Sequence, residues 1–284
     1  DRRTDEVLWR RRAAYGFPTI DNRLGNSRGG AVAVGNGRAF VLDSLPGSLL
    51  AMLKRRGATT VGRPTLYALD VRTGRVVWET TDSTQGRGWV AYAAAEDVVL
   101  TGTGGTVTAY GGMDGSTLWS TSKPGTTFGR PPVVRGGTVI SMFLRGDMSG
   151  KSLKTDLDSM HREWIIQDVR TGEVKTSLRA PGAYCGFATS SQQVMAFRAT
   201  SVAFYDYAAD RVMNLSGFRG ACATNLIPAD GVLSAPHLGW HCMCNYPIFT
   251  STAFIHMPEV DAWSGIPPQP EWLDPETRRK TGKH

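Results

Sequence analysis

One spaced pattern constrains this 284-residue chain more tightly than its composition does. In the stretch from Thr65 to Thr80, Ala68, Asp70, Thr73, Gly74 and Trp78 stand in the order AxDxxTGxxxW. The pattern returns, altered, as Ala109-x-Gly111-x-x-Asp114-Gly115-x-x-x-Trp119, and in part as Ile166-x-Asp168-x-x-Thr171-Gly172. Each residue type has a mechanical reason to sit where it does. An aspartate accepts hydrogen bonds from amides two and three residues on, threonine does so more weakly, and glycine supplies a positive φ without steric cost. The tryptophan, one strand later, presents a broad apolar face with a polar N–H at its edge. Alternating apolar runs on both sides make each copy a β-hairpin. Recurrence at a fixed spacing makes the chain an array of such hairpins.

An array of hairpins with an aromatic anchor predicts an all-β fold, a β-propeller of four-stranded antiparallel blades. The first blade is expected at Ala31–Ala33 and Arg38–Leu42, ending at Leu66–Thr80, with an insertion near 45–62. The second runs from Trp89 to Ser120, with clear strands at Asp97–Thr101 and Val107–Tyr110. The third spans Pro132 to Leu178 around an insertion near 145–162, and the fourth spans Cys185 to Leu215 with Asp210 in the glycine position. The last, Cys222 to Trp263, has lost the motif. At about 40 to 45 residues per blade, two insertions leave room for about five to six blades. An eight-bladed parent would make this chain a fragment. Asp5-Glu6-Val7-Leu8-Trp9 reads as a closing strand, either completing the last blade or left from a blade not represented here. The propeller is assigned to residues 1–264. Residues 265–284, with Pro267, Pro268, Pro270 and Pro275, read as an extended arm.

Ala68-x-Asp70-x-x-Thr73-Gly74-x-x-x-Trp78 is similar to the tryptophan-docking motif of the PQQ-like (quinoprotein-like) β-propeller repeat family, of extracytoplasmic bacterial type. The resemblance covers most of the chain. It implies that Asp70, Gly74, Trp78, Gly115, Trp119, Asp168 and Gly172 dock blades onto one another. Members include quinoprotein dehydrogenases, which hold PQQ with calcium or a lanthanide, use an aspartate base and often cap the quinone with a disulfide between adjacent cysteines. They also include propellers without a quinone, such as the scaffold lipoprotein of outer-membrane protein assembly. No two cysteines are adjacent here, and Asp156 and Asp158 fall in an insertion where a solvated or loosely calcium-binding loop is the simpler account. Catalytic and cofactor-binding residues therefore stay unassigned. No cofactor is expected, with PQQ and calcium as the alternative.

The four cysteines lie in the last 100 residues: Cys185, Cys222, Cys242 and Cys244. An even, clustered set in a chain of this type reads first as two disulfides, with Cys185 and Cys222 each reaching one of the CxC pair. The segment from Cys222 to Tyr246 also resembles the closing region of some bacterial PQQ-like propeller proteins, which implies disulfides as well. The rival reading is a copper or zinc site from His237, His241, Cys242 and Cys244. In an extended strand, however, His241 projects opposite to Cys242 and Cys244. The spacing matches no standard structural zinc pattern.

A net charge of +7 raises the question of nucleic acid. The cations cluster only at Arg10–Arg12, Lys54–Arg56 and Arg278–Lys280, with no recognition helix, finger or RNA-binding strand beside them, so no specific nucleic acid is expected. A solvated face is the first account of these cations, and contact of the basic loops with a membrane surface of anionic lipid, or with polysaccharide, is the second. No Gly-x-Ser-x-Gly elbow supports a hydrolase. With 33 glycines, 15 prolines, 20% charged residues and a first residue other than methionine, the expectation is a periplasmic or otherwise extracytoplasmic protein from which any leader has been removed. Leu45, Leu49, Met52 and Leu53 lie at helical spacing ahead of Lys54-Arg55-Arg56, an amphipathic helix that serves either as a cap on its blade or as a partner-facing element. The functional expectation is a protein-interaction or scaffold module with protein partners, leaning away from an enzyme. The alternative is a PQQ- and calcium-dependent oxidoreductase domain.

Overall fold

The structure, a computed structural model, describes residues 4, 6–11, 32–43, 47–58, 64–81, 89–103, 106–122, 126–127, 132–145, 162–180, 188–198, 202–215, 226–236 and 251–255. Two compact units divide the chain, Asp1–Ala253 and Phe254–His284, and of the second only Phe254 and Ile255 are described. Among the described residues the regular secondary structure is strand apart from one helix. The first sheet holds β1 (Val32–Gly35), β2 (Arg38–Asp43), β3 (Thr65–Asp70) and β4 (Val76–Thr80) in that order, and helix α1 (Gly47–Arg55) lies between β2 and β3 in sequence. The second holds β5 (Trp89–Ala93), β6 (Val98–Thr103), β7 (Thr106–Gly111) and β8 (Thr117–Ser122).

The third sheet runs β10 (Val133–Arg135), β11 (Thr138–Arg145), β12 (Arg162–Asp168) and β13 (Val174–Ala180), with the short β9 (Thr126–Thr127) also paired to β11. The fourth runs β14 (Thr189–Ser190), β15 (Val194–Arg198), β16 (Val202–Asp206) and β17 (Arg211–Leu215). A fifth has the order β18 (Ile227–Ala229), β19 (Val232–Ala235) and β20 (Thr252–Ile255). Pairing of consecutive strands within each sheet, and contact of β1 with β5, β5 with β10, β10 with β14 and β14 with β18, define a β-propeller of antiparallel blades.

The cores explain why the strands read as unbroken apolar runs. Each core lies between two blades. Phe40, Leu42, Leu66, Ala68 and Trp78 of the first pack against Val90, Val99 and Tyr110 of the second. The other face of the second blade, with Val98, Leu100 and Ala109, packs against Val139, Ile165 and Val169 of the third. Ile140, Met142, Trp164 and Ile166, on the far face of the third, meet Met195, Phe197, Ala203 and Tyr205. Side chains alternate across a strand, so Val139 and Ile140 serve different cores, and both must be apolar.

Two boundaries depart from the sequence reading. Asp97 belongs to a turn rather than to a strand, because its φ is +57° and β6 begins at Val98. Residues 6–11 form no strand, although Trp9 is engaged in a way described below.

Candidate functional site

The outer hairpins of the first three blades close through one hydrogen-bond scheme. In the first, the Asp70 amide donates to the Arg75 carbonyl (2.9 Å) and the Gly74 amide donates to the Asp70 carbonyl (2.8 Å). Asp168 and Gly172 repeat the pair of bonds at 2.8 and 2.9 Å, and Gly111 and Gly115 both at 2.8 Å. Asp70 Oδ1 accepts from the amides of Arg72 (3.0 Å) and Thr73 (2.8 Å) and from the Thr73 hydroxyl (2.8 Å). Asp168 Oδ1 accepts likewise from Arg170 and Thr171 at 2.9 and 3.1 Å, and Asp206 from Ala208 and Ala209 at 2.9 and 3.0 Å.

These donors favour the charged carboxylate. The Thr73 hydroxyl, foremost, lowers the pKa of Asp70. The Ser116 amide does the same for Asp114. The Thr171 amide, followed by the Lys175 ammonium 3.1 Å away, holds Asp168 at about 2.

The second corner uses different residues for the same geometry. Gly111 stands where Asp70 and Asp168 stand, and a Cβ there would lie 2.6 Å from Asp114 Oδ1. Asp114 takes the position of Thr73 and accepts from the Ser116 amide at 3.0 Å, as Thr73 Oγ1 does from the Arg75 amide at 3.3 Å. In the fourth blade Asp210 replaces the glycine and adopts φ +49°, a conformation aspartate tolerates better than most residues.

Onto each glycine corner a tryptophan from another segment is laid. Trp78 Nε1 donates to the Gly112 carbonyl at 2.8 Å, and its ring lies 2.6 Å from where a Cβ on Gly115 would be. Trp119 Nε1 donates to the Val169 carbonyl at 2.9 Å, its ring 2.7 Å from the corresponding point on Gly172. Trp9 Nε1 donates to the Val71 carbonyl at 2.8 Å, its ring 2.6 Å from that point on Gly74. Residues 6–11 thus stand against the first blade as an outer strand of a preceding blade would, and the Arg11 guanidinium lies 5.0 Å from the Tyr67 ring centre. A register shift recurs at Ala68/Leu69, Ala109/Tyr110 and Ile166/Gln167. In the first two blades this bulge immediately precedes the tryptophan, as a device that re-aims a side chain.

The tryptophan position of the third blade holds Thr176, which pairs with Ile166 as Trp78 pairs with Ala68. There the link passes to Arg135, whose guanidinium lies 3.9 Å from the Tyr207 ring centre and whose Nε donates to the Gln192 carbonyl at 2.8 Å. Between the first and second blades, Arg38 Nη2 donates to Asp97 Oδ1 (2.7 Å), the Tyr92 hydroxyl donates to the same oxygen (2.5 Å), and Asn36 Nδ2 donates to the Ala94 carbonyl (2.8 Å). Burial, then this hydrogen bond to Asp97, pushes the Tyr92 hydroxyl up to about 12. Neither link carries a repeated motif. The available signal is only an Asp or Arg at the edge of a turn.

These contacts sort the connections by end. The first and second strands of a blade are joined at the same end as the third and fourth. The Val71 amide donates to the Gly37 carbonyl (3.0 Å), Gly112 to Asp97 (2.7 Å), Val169 to Gly137 (2.9 Å) and Tyr207 to Gln193 (3.1 Å). Antiparallel pairing sends the connection between second and third strands to the opposite end, together with the passage to the next blade. The first kind are tight turns. The second kind include both long insertions.

Of the first insertion, α1 is described. It ends in a Schellman cap with Gly57 at φ +83°, the Ala58 amide donating to the Leu53 carbonyl (3.0 Å) and Gly57 to Lys54 (3.1 Å). Met52 and Leu53 are half-buried, and Ala51, Lys54, Arg55 and Arg56 are exposed.

The remaining sequence candidates, Cys185, Cys222, Cys242, Cys244, His237 and His241, lie outside the described residues, as do Asp156, Asp158 and the segment 265–284. Among the described residues no three His, Cys, Asp or Glu side chains gather as donors for a metal. No helix among them is long and apolar enough to cross a membrane.

Among solved structures, BamB from Moraxella catarrhalis is similar at 16% identity and a TM-score of 0.48, covering 81% of this chain and 59% of its own. Quinohemoprotein alcohol dehydrogenase from Comamonas testosteroni is similar at 17% identity and 0.37, covering 57% of this chain and 22% of its own. A europium-containing methanol dehydrogenase is similar at 16% and 0.36, covering 55% and 26%. This chain therefore spans less than two thirds of the length of each of these structures. A comparison with curated proteins gives no match. A family model described as outer membrane protein assembly factor BamB matches residues 1–155 and 62–204. Built from blades that lock tryptophan onto glycine corners, and matched over that span, the chain belongs to this PQQ-like β-propeller repeat family.

Proposed function

We propose that this chain acts outside the cytoplasm as a protein-interaction or scaffold module, and that its partner meets the blade end from which the insertions depart. One observation carries the reading: the two ends of the blades are built differently. At the turn end, amides, carboxylates and indole N–H groups are satisfied by one another, which leaves a closed surface. The opposite end carries α1 with exposed cations and half-buried apolar residues, and rigid scaffolds commonly put recognition on such insertions. The description of the family as an assembly factor for outer membrane proteins supports a protein partner and an extracytoplasmic setting.

Site-specific photo-crosslinking in envelope preparations tests this. A photoreactive residue at Ala51 should give a discrete adduct absent when it is placed at Arg72 on the turn end. Adducts from Arg72 alone would overturn the reading. So would absorbance of the purified chain between about 330 and 400 nm together with stoichiometric calcium, the mark of a bound quinone.

A further inference from the structure

Positive charge is not spread evenly between the two ends of the blades. At the turn end the carboxylates of Asp70, Asp114, Asp168 and Asp206 cap the turns, Asp97 pairs with Arg38 at 2.7 Å and Asp168 with Lys175 at 3.1 Å, so the exposed Arg72, Arg75 and Arg170 stand in a mixed-charge surface. At the insertion end, Lys54, Arg55 and Arg56 follow one another at the C-terminus of α1, all exposed, and among the described residues no carboxylate pairs with them. Arg145 ends β11, Arg162 begins β12 and Arg198 ends β15, so three more cations occupy strand termini at that same end in two other blades. The shared orientation of these blades follows from contacts at their turn ends, which run from Asn36 to Ala94, from Trp119 to Val169 and from Arg135 to Gln192.

We propose that this end docks on an anionic bilayer surface, with α1 lying at the interface, a contact beyond the protein-binding role above. A helix with apolar Met52 and Leu53 beside a run of cations suits the boundary between headgroups and acyl chains. Each lysine or arginine held near an anionic leaflet strengthens binding severalfold, and the effect fades beyond a Debye length.

Co-sedimentation of the full chain with vesicles tests the proposal. Vesicles of phosphatidylcholine with 30 mol% phosphatidylglycerol should bind the chain, pure phosphatidylcholine should not, and about 0.5 M salt, with a Debye length of a few ångströms, should release it. Replacing Lys54, Arg55 and Arg56 together by glutamine should lower the partition coefficient about a hundredfold. Replacing Arg72, Arg75 and Arg170 at the turn end, also exposed, should change it by less than about threefold. Unchanged circular dichroism of both triple variants establishes that each is folded. Equal binding to both vesicle types, or equal loss in both variants, overturns the proposal. Capture on immobilised polyglutamate without vesicle binding also overturns it, in favour of an acidic protein partner.

Discussion

Gly115→Ala and Gly37→Ala form a pair that isolates the contribution of tryptophan docking. The two glycines share a backbone conformation, φ +72° and +73°, so an alanine pays the same left-handed penalty at either, about 1–2 kcal/mol. Their surroundings differ. A Cβ on Gly37 meets nothing within 4 Å, whereas on Gly115 it would lie 2.6 Å from Cε3 and 2.7 Å from Cδ2 of Trp78. The indole is buried between blades and must move, so the 2.8 Å bond from Nε1 to the Gly112 carbonyl is lost and a buried acceptor is left unpaired, at about 1–3 kcal/mol. Gly37→Ala should therefore cost about 1–2 kcal/mol and Gly115→Ala about 2–5 kcal/mol. Urea unfolding followed by far-ultraviolet circular dichroism measures both. Adding Trp78→Ala to Gly115→Ala should give a loss smaller than the sum of the single losses, because the clash disappears with the ring. If the two glycine variants agree within about 0.5 kcal/mol, the limit to which independent effects add, the docking account fails.

Trp119→Phe keeps a ring on Gly172 but removes the donor to Val169, so it should cost about 1–3 kcal/mol, less than the about 3–5 kcal/mol of Trp119→Ala; the reverse order in chemical denaturation would count against the hydrogen bond. Tyr92 is raised to about 12, above the 10 of an unfolded tyrosine, so its contribution is complete below pH 10 and is lost as pH rises toward 12. Alkaline denaturation over that window should show the loss, and Asp97→Asn should make it smaller; an unchanged slope would contradict the link. Asp168 is lowered to about 2 from 3.8, so its contribution is present above pH 4 and lost as pH falls toward 2. Carbon-detected titration of that carboxyl should show a midpoint near 2, and a midpoint near 4 would refute the corner geometry.

The corners were legible in the sequence because a turn with a capped aspartate and a left-handed residue leaves few choices of side chain. Even the relocated carboxylate at Asp114 kept its distance from Gly115 and Trp119. The long strands were legible because cores on both faces force continuous apolar runs such as Val98-Val99-Leu100. Short inner strands such as β10 and β14, three and two residues long, are too brief to show a period. Asp97 looked like the start of a strand, since composition alone does not reveal a φ of +57°. The Arg38–Asp97–Tyr92 and Arg135–Tyr207 links leave no pattern in the sequence because their partners are distant in it and unrepeated. For the candidate surface, the helix and its cations could be read from apolar spacing. The end of the blades that carries it needed the strand pairing.

Cores shared between neighbours give this architecture a particular mode of failure. No sheet owns a private interior, so melting the second one would strip solvent protection from Phe40 and Leu42 on one side and from Val139 and Ile165 on the other. Damage at any position therefore propagates outward in both directions, as in a one-dimensional chain with strong nearest-neighbour coupling. Amide exchange across the first four sheets should then be lost in concert, with the slowest protons in the middle of the row and the fastest toward its extremities.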